Sequence, residues 1–303
     1  MPELNDPEIY QSVLDSLQTG VYIVDRNRRI RFWNEGAEEI TGYLRQDVVG
    51  RFLRDHLLTA GDDGRDLDSD PDDPINLVFR DGKRSTMDVS ILHKDGYRVP
   101  IVLRTNPIRN SHGAVVGAAE SFERNRTASD WTRRQAAFAD FGCLDSLTGV
   151  AAQTYMDTQL RENLTTFAEH HIPFGILLIQ IDHMEQFRAS RGPGVMTTIL
   201  RVVAQSVENC LRPTDLVGCW GENQFLAILN QCKESEVSPV GERVRKMISH
   251  SEIEWWGDKF SVTSPVGGAG CRPGDTVEIL VGRAEASIKE SVGKGGNCVT
   301  VLV

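Results

Sequence analysis

The chain has 303 residues, of which 40% are apolar and 25% charged, a composition typical of soluble globular protein and long enough for two domains. Its formal net charge of -10 argues against broad binding to a nucleic-acid backbone, which needs clustered lysine and arginine, so no DNA partner is expected. The apolar runs are too short to span a bilayer, and no basic region followed by an apolar one stands at the N-terminus. We therefore expect neither a membrane span nor a signal peptide.

The N-terminal residues predict a helix, a hairpin and a second helix. Residues 8–17 carry apolar side chains at helical spacing. Two short apolar runs on either side of a polar turn, Gly20–Val24 and Ile30–Trp33, then predict a β-hairpin. Asn34 is suited to cap the following helix, and Gly42 is suited to end it.

An acidic segment and further strands complete the first half. The segment Asp62–Asp73 holds seven aspartates, fits no EF-hand spacing and predicts a solvated, mobile loop. Three runs bounded by turns predict strands at Ser85–Leu92, Tyr97–Asn106 and Ala114–Phe122. Together with the first hairpin they predict a five-stranded antiparallel sheet with flanking helices.

Several short motifs in this half agree in order and spacing with one sensor family. They are Gly20–Asp25, Trp33–Asn34, Thr41–Tyr43, Val49–Arg51 and His93–Gly96. With them, the stretch from Glu8 to Arg124 closely resembles a PAS sensor domain. The ligand of that domain stays unknown. No cysteine lies between Glu8 and Arg124, so thiol-linked flavin chemistry is not expected in this domain. His56 and His93 are interpreted as structural residues rather than haem ligands.

A connector follows the sensor-like region. Residues Thr127–Gly142 place Trp131, Ala137, Phe138 and Phe141 on one helical face. The segment resembles the signalling helix that links a PAS domain to its output, and such helices pair as short coiled coils. We therefore predict a homodimer through the PAS domain and this helix. The predicted divisions of the chain are residues 1–126, 127–144 and 145–303.

The second half alternates helices and strands. Predicted helices span residues 152–170, 196–211, 241–248 and 277–290, and predicted strands span 174–181, 216–219, 225–229, 259–266 and 298–303. This order predicts an α/β sandwich around one sheet, so the whole chain is of the α+β class. The six cysteines all lie in this half and form no CxxC pair, which favours free buried thiols and a cytoplasmic protein over a disulfide or zinc framework.

The second half also resembles a known catalytic family. Asp145–Gly149 matches the entry motif of GGDEF domains, and the family order of elements is followed from there. The resemblance implies a fold like that of nucleotidyl cyclases. Active members condense two GTP molecules into cyclic di-GMP, a phosphoryl transfer that needs divalent metal held by carboxylates.

The resemblance places uncharged or unsuitable residues at the metal positions. The first metal carboxylate falls on Gln180 and the second on Asn223, and a neutral amide is a poor ligand for a hard cation. The glycine that lets the backbone approach the phosphates is replaced by Glu222, and the next glutamate of the signature by Gln224. No metal and no catalytic residue is therefore expected.

The nucleotide-binding positions depart from the family pattern as well. The two phosphate-binding cations fall on Val292 and Gly296, with Lys294 between them but out of register. The two residues that recognise guanine fall on Arg188 and near Thr197. The loss is simultaneous across the site, so we expect no cyclase activity.

One binding motif of the family is retained. Arg212 and Asp215 form its RxxD inhibitory pattern at the usual distance before Gly221, and its third contributor falls on Arg243. The resemblance implies a cyclic di-GMP site, since arginine can grip phosphate or the O6/N7 edge of guanine. An ordinary surface ion pair or hairpin entry explains the same residues equally well.

Three functions follow from these observations. The leading one is a non-enzymatic signalling protein that senses through its PAS domain and binds cyclic di-GMP or an unknown effector protein. The alternatives are an active diguanylate cyclase with an atypical site and a pure protein-interaction module.

Overall fold

The computed structural model describes residues 7–55, 59–60, 73–124 and 143–302. The chain divides into two compact units, residues 1–125 and 126–303. The predicted connector at 127–142, the residue His56 and the acidic residues before Asp73 lie outside the described residues. Their predicted roles and the predicted domain boundaries therefore stay predictions.

The first unit is an antiparallel sheet with short helices. Its strands are β1 (Gly20–Asp25), β2 (Ile30–Trp33), β3 (Thr59–Ala60), β4 (Ser85–Leu92), β5 (Arg98–Arg109) and β6 (Val115–Arg124). Its helices are α1 (Pro7–Asp15), α2 (Glu35–Thr41), α3 (Arg45–Val48) and α4 (Pro74–Asp81), with a 3-10 turn at Leu53–Asp55. The strand order is β2-β1-β6-β5-β4-β3. The five predicted strands are confirmed, and the two-residue β3 extends the sheet at one edge.

An aromatic group forms the centre of this unit. Tyr22, Trp33 and Phe122 are fully buried, and the ring of Tyr22 stacks on that of Trp33 with centroids 5.5 Å apart. Alternate residues of β1 and β6 point towards this group, as the twofold period of a strand requires. Burial of aromatic rings of this size is a large stabilising contribution.

Asn34 connects three elements of the first unit. Its Oδ1 accepts hydrogen bonds from Ala37 N at 2.9 Å and Val21 N at 2.7 Å. Its Nδ2 donates to the carbonyl oxygens of Leu14 at 2.7 Å and Thr19 at 2.9 Å. The predicted helix cap is therefore confirmed. The same side chain also satisfies backbone groups of β1, of α1 and of the segment that follows α1.

Asp73 departs from the prediction of a solvated loop. It is almost completely buried at the start of α4 and pairs with the guanidinium of Arg28. Burial outweighs the attraction of Arg28 and raises the pKa of this carboxyl above its ordinary value. The prediction is wrong at this residue because Arg28, a cation in the β1–β2 turn, compensates the burial of Asp73. This partner is distant in the sequence, so the composition of the aspartate-rich segment alone does not indicate it.

The second unit is a mixed sheet covered by helices on both faces. Its strands are β7 (Phe174–Gln180), β8 (Leu216–Gly221), β9 (Gln224–Asn230), the short hairpin β10 (Ile253–Trp255) and β11 (Asp258–Phe260), β12 (Val266–Gly270) and β13 (Val299–Val301). Its helices are α5 (Gln153–His170), α6 (Met184–Arg191), α7 (Gly194–Cys210), α8 (Glu234–Ser249) and α9 (Val277–Gly293). The main sheet has the order β13-β12-β7-β9-β8, with only the β12–β13 pair parallel. The predicted α/β sandwich is confirmed.

The predicted strand at residues 259–266 is wrong. Residues 261–265 are irregular, and the regular strand is β12, which begins only at Val266. β12 is rich in glycine because helices approach it closely on both faces. A Cβ at Gly267 would lie 2.2 Å from the carbonyl oxygen of Ala284 in α9, and one at Gly268 would lie 2.7 Å from Val237 in α8.

The cysteines and the helices carry two further observations. All six cysteines are free thiols, and Cys210 and Cys232 are buried while the others are half-buried. Among the helices of the described residues, none combines the length and the apolar character needed to cross a membrane.

The four hydrogen bonds of Asn34 generate a prediction about stability. Asn34→Ala removes a helix cap and leaves buried backbone groups without partners, so we expect a loss of roughly 2–4 kcal/mol in the free energy of unfolding. Asn110→Ala is the matched control, because Asn110 accepts from His112 N and Ala114 N in an exposed turn. Urea denaturation of the full chain, followed by circular dichroism, measures both variants. Equal losses in the two would contradict the connecting role of Asn34.

Candidate functional site

The turn at residues 145–149 fixes the register of β8. Asp145 Oδ1 accepts hydrogen bonds from Thr148 N at 2.8 Å and from Thr148 Oγ1 at 2.7 Å. Burial opposes ionisation of Asp145, but the hydrogen bonds from Thr148 prevail and hold its pKa below the ordinary value. After the turn, Ala151 N donates to Val217 O at 3.2 Å and Cys219 N donates to Ala151 O at 2.9 Å. The entry motif therefore anchors the chain on the strand that leads into the signature hairpin.

The signature hairpin places two amide side chains opposite each other. β8 and β9 are joined by Glu222 and Asn223, and the register of β9 against β7 pairs Gln224 with Gln180. Gln224 Nε2 donates to Gln180 Oε1 at 3.1 Å. Ile181 N donates to the carbonyl oxygen of Asn223 at 3.2 Å, which brings the hairpin turn to the end of β7. The two predicted metal positions, 180 and 223, therefore meet at one end of the sheet.

These residues do not fit a divalent metal ion. Hard cations take several oxygen ligands with carboxylates among them, and positions 180, 223 and 224 supply neutral amides. The nearby carboxylate of Asp182 already accepts from Thr263 Oγ1 at 2.7 Å and from Asn297 N at 3.3 Å. Glu222 is exposed to solvent. No group of three His, Cys, Asp or Glu side chains within the described ranges is placed to hold a metal.

The loop after α9 has a backbone conformation that depends on glycine. Gly295, Gly296 and Asn297 have φ values of 105°, 76° and 44°. A Cβ at Gly296 would lie 2.8 Å from Asp182 Oδ2. The predicted phosphate position at Gly296 is therefore adapted to a residue without a side chain, in the left-handed region that glycine tolerates. Val292, the other predicted cation position, lies half-exposed in the last turn of α9.

The remaining predicted nucleotide positions are engaged locally or lie within helices. Lys294 Nζ pairs with Glu290 Oε1 at 2.6 Å, and this hydrogen bond raises the pKa of Lys294. Arg188 lies in α6, with Nη1 3.9 Å from Glu185 Oε1. Thr197 is half-buried near the start of α7.

Asp215 holds the backbone of the RxxD loop. Its Oδ2 accepts from Arg212 N at 3.0 Å, its Oδ1 accepts from Asn230 N at 3.1 Å, and its own N donates to Arg212 O at 2.9 Å. The residue is only 5% exposed. Its carboxylate therefore links the segment before β8 to the end of β9, a structural role of the kind that the hairpin-entry interpretation implies.

The two arginines of the motif, unlike the buried Asp215, lie at the surface. Arg212 and Arg243 are exposed, and neither guanidinium makes a hydrogen bond or an ion pair with any residue that the structure describes. Arg212 follows the end of α7, and Arg243 lies in α8, which packs against α7. Two free guanidinium groups on neighbouring elements are suited to bind an anionic ligand.

Comparison with known proteins identifies the families to which the two halves of the chain are similar. The family model described as "Diguanylate cyclase, GGDEF domain" matches residues 143–298, and the model described as "PAS fold" matches residues 8–120. Diguanylate cyclase A of Treponema denticola is 29% identical over 161 residues, which are 52% of this chain and 43% of that protein. Probable diguanylate cyclase DgcE of Escherichia coli is 24% identical over 257 residues, 84% of this chain and 22% of that protein. The chain thus spans less than half the length of either curated relative.

Solved structures resemble the second unit. Diguanylate cyclase SiaD from Pseudomonas aeruginosa, in complex with its activator SiaC, has a TM-score of 0.52 at 26% identity and covers 58% of this chain and 70% of its own. The GGDEF domain of DgcB from Caulobacter crescentus, in complex with c-di-GMP, has a TM-score of 0.51 at 23% identity, covers 53% and 93% respectively, and supports the fold alone. Within this chain a PAS domain precedes the GGDEF domain. Because the GGDEF family model matches more than half of the chain, the chain belongs to the diguanylate cyclase GGDEF-domain family.

Proposed function

We propose that this chain is a signal-transduction protein of the cyclic di-GMP system whose GGDEF domain binds cyclic di-GMP but does not make it. In this proposal the PAS domain receives a signal and, with residues 127–142, joins two copies into a cytoplasmic homodimer. The observation that carries the proposal is a contrast within one domain. Amides occupy the metal positions 180 and 223, whereas Arg212 and Arg243 present unpaired guanidinium groups.

The absence of cyclase activity follows from the charge requirements of the reaction. Condensation of two GTP molecules places growing negative charge on phosphoryl oxygens, which metal and cationic side chains must neutralise. Loss of one such electrostatic contact costs on the order of 100-fold in rate. Gln180 and Asn223 offer no charge to a metal, and Gly296 and Val292 offer none to phosphate. The combined deficit leaves no catalytic rate of the usual size.

We expect the purified full chain to form no cyclic di-GMP from GTP with Mg²⁺ or Mn²⁺. Chromatographic detection of product measures this directly. Arg212→Ala is assayed in parallel, because a bound product at the RxxD loop would otherwise mask activity. Product formation at ordinary enzyme rates in either protein would overturn the proposal in favour of an active cyclase with an atypical site.

Ligand binding is assigned chiefly to the arginines. A guanidinium can donate two parallel hydrogen bonds to a phosphate or to the O6/N7 edge of guanine. Asp215 already accepts two backbone hydrogen bonds, so its main contribution is to hold Arg212 in place. A partner protein with an acidic surface would use the same two cations, and the binding experiment separates these cases.

Calorimetry with cyclic di-GMP tests the site. We expect Arg212→Ala and Arg243→Ala each to weaken binding roughly 10- to 100-fold, because a charge-assisted hydrogen bond contributes about 1.5–3 kcal/mol. Arg161→Ala is the matched control, since Arg161 is an exposed arginine of the same unit paired with Asp157. Equal affinity in all variants would remove the ligand from this site. No binding by the unaltered chain would leave a protein-interaction module as the function.

The glycine-dependent loop predicts that a single substitution cannot restore the phosphate site. Gly296→Arg forces a side chain into the left-handed region and against Asp182, so we expect a loss of about 1–2 kcal/mol in the free energy of unfolding and no gain of activity. Gly282→Arg is the control, because Gly282 is exposed in α9 with open space at its Cβ position. Denaturation curves of the two variants are compared. A stable Gly296→Arg protein that forms product would contradict the interpretation of this loop.

A further inference from the structure

Glu120 is a carboxylic acid in the interior of the PAS domain. It lies in the middle of β6 and is 1% exposed. Its direct cross-strand neighbours are Tyr22 of β1 and Thr105 of β5. The hydroxyl of Tyr22 is hydrogen-bonded to Glu120 Oε2, and the hydroxyl of Thr105 to Glu120 Oε1. When the carboxyl is protonated, its O–H donates to one of these two hydroxyl oxygens, and when it is ionised both hydroxyls donate to it. Three polar side chains thus form one row across three adjacent strands of the sheet.

The surroundings of this row are apolar. Tyr22 stacks on Trp33, and its ring centroid lies 5.9 Å from that of Phe122, which is two residues beyond Glu120 on the same strand face. The titratable group that faces Glu120 is the phenol of Tyr22. Charged side chains on the elements that pack against β6 have other partners within the described residues: Glu38 accepts from Arg45 N, and Asp25 pairs with Arg31, Arg80 with Asp81 and Arg104 with Glu123. Arg98, Arg109 and Arg124 donate to the carbonyl oxygens of Ser90, Gly82 and Glu39, and the carboxylates of Glu35 and Glu39 are exposed.

Among the described residues, the carboxyl therefore has no cation to compensate an ionised state. Burial alone raises the pKa of Glu120 to about 8, and no charged side chain within the described residues shifts it. A buried carboxylate without a counter-charge is strongly disfavoured, so the protonated form is the one compatible with the closed core. Its titration consequently falls in a range that cells and their surroundings reach.

We propose that the PAS domain binds a proton at Glu120 as a signal, with Tyr22 and Thr105 as the hydrogen-bonding partners of the site. When the pH rises, Glu120 releases its proton to water and leaves a carboxylate between β1 and β6. Two hydroxyl donors cannot replace the hydration that this charge requires, so water must enter or the carboxylate must move outward. Either change separates β1 from β6 near Tyr22.

A change at Glu120 is transmitted along β6 towards the C-terminal end of the PAS domain. Phe122, which contacts Tyr22 and Trp33, lies between Glu120 and the end of β6 at Arg124. Residues 125–142 follow in the sequence and lead to the GGDEF domain. A displacement of β6 therefore acts on the segment that connects the two units. This inference is independent of cyclic di-GMP binding at Arg212.

The sign of the pH effect follows from the raised pKa. The folded state holds the proton of Glu120 more tightly than the unfolded chain, in which the carboxyl has its ordinary pKa of 4.5. The stabilisation from this group is complete below the ordinary pKa and is lost as the pH rises through about 8. Full-length protein, Glu120→Gln and the matched control Glu123→Gln test the effect, since Glu123 is an exposed carboxylate of the same strand.

Two measurements decide the proposal. Infrared spectroscopy of the unaltered chain at neutral pH should show the carbonyl band of a protonated carboxyl, which disappears on titration through about pH 8 and is absent in Glu120→Gln. The urea midpoint should fall between about pH 6 and about pH 9 in the unaltered chain and Glu123→Gln, with that fall reduced or lost in Glu120→Gln. No protonated band, or one that persists in Glu120→Gln, would overturn the proposal, as would equal pH dependence of all three midpoints.

Tyr22→Phe keeps the test decisive if Glu120→Gln does not fold. Removal of the phenol hydroxyl takes one hydrogen-bond donor from the carboxylate and leaves the ring in the core. The midpoint of the infrared titration should then move to higher pH, because the ionised form loses stabilisation. An unchanged midpoint in Tyr22→Phe would place the titrating group elsewhere and contradict the proposed site.

Discussion

The antiparallel register between β7 and β9 determines what the second unit presents at its candidate site. Both strands are apolar and covered on both faces. A shift of the pairing by one residue would move each buried side chain to the opposite face of the sheet, against helices with which it does not pack. The register that satisfies the core also sets residue 180 opposite residue 224 and draws the hairpin turn to the end of β7. The chemistry of the site is therefore fixed by which side chains occupy these few positions. Here they are amides that bond to each other.

The same constraint reaches the end of the chain through β12. Helices α8 and α9 approach this strand so closely that side chains on it would collide with their backbone and side-chain atoms. α9 is thereby held against the sheet, and the loop after it returns beside Asp182 at the end of β7. In this loop Asp182 accepts a backbone hydrogen bond from Asn297, next to the predicted phosphate position at Gly296. The predicted metal and phosphate positions are thus held by connected features of one framework.

Local chemistry explains why much of the fold could be predicted from the sequence. Asn34 and Gly42 form the ends of α2 as their side-chain chemistry requires, and the alternating runs of the first unit became the five predicted strands. The glycine-rich β12 was missed because its reason for being a strand lies in the helices that cover it. Asp73 and Glu120 were missed for the same kind of reason, since burial of a carboxyl depends on distant partners. Within the site, motif spacing located the residues, whereas the bonding of Asp215 and the conformation at Gly296 required the structure.

The bonding of Asp215 changes how the RxxD motif is to be read in any sequence of this kind. An aspartate that ties two ends of a hairpin together is retained by selection for folding, whether or not a nucleotide ever binds. A neighbouring arginine whose guanidinium makes no hydrogen bond or ion pair with the described residues of its domain contributes no such interaction to folding. Among degenerate members of the family, the presence of the aspartate is thus weak evidence of ligand binding. The arginines are the part of the motif whose persistence reports on a ligand.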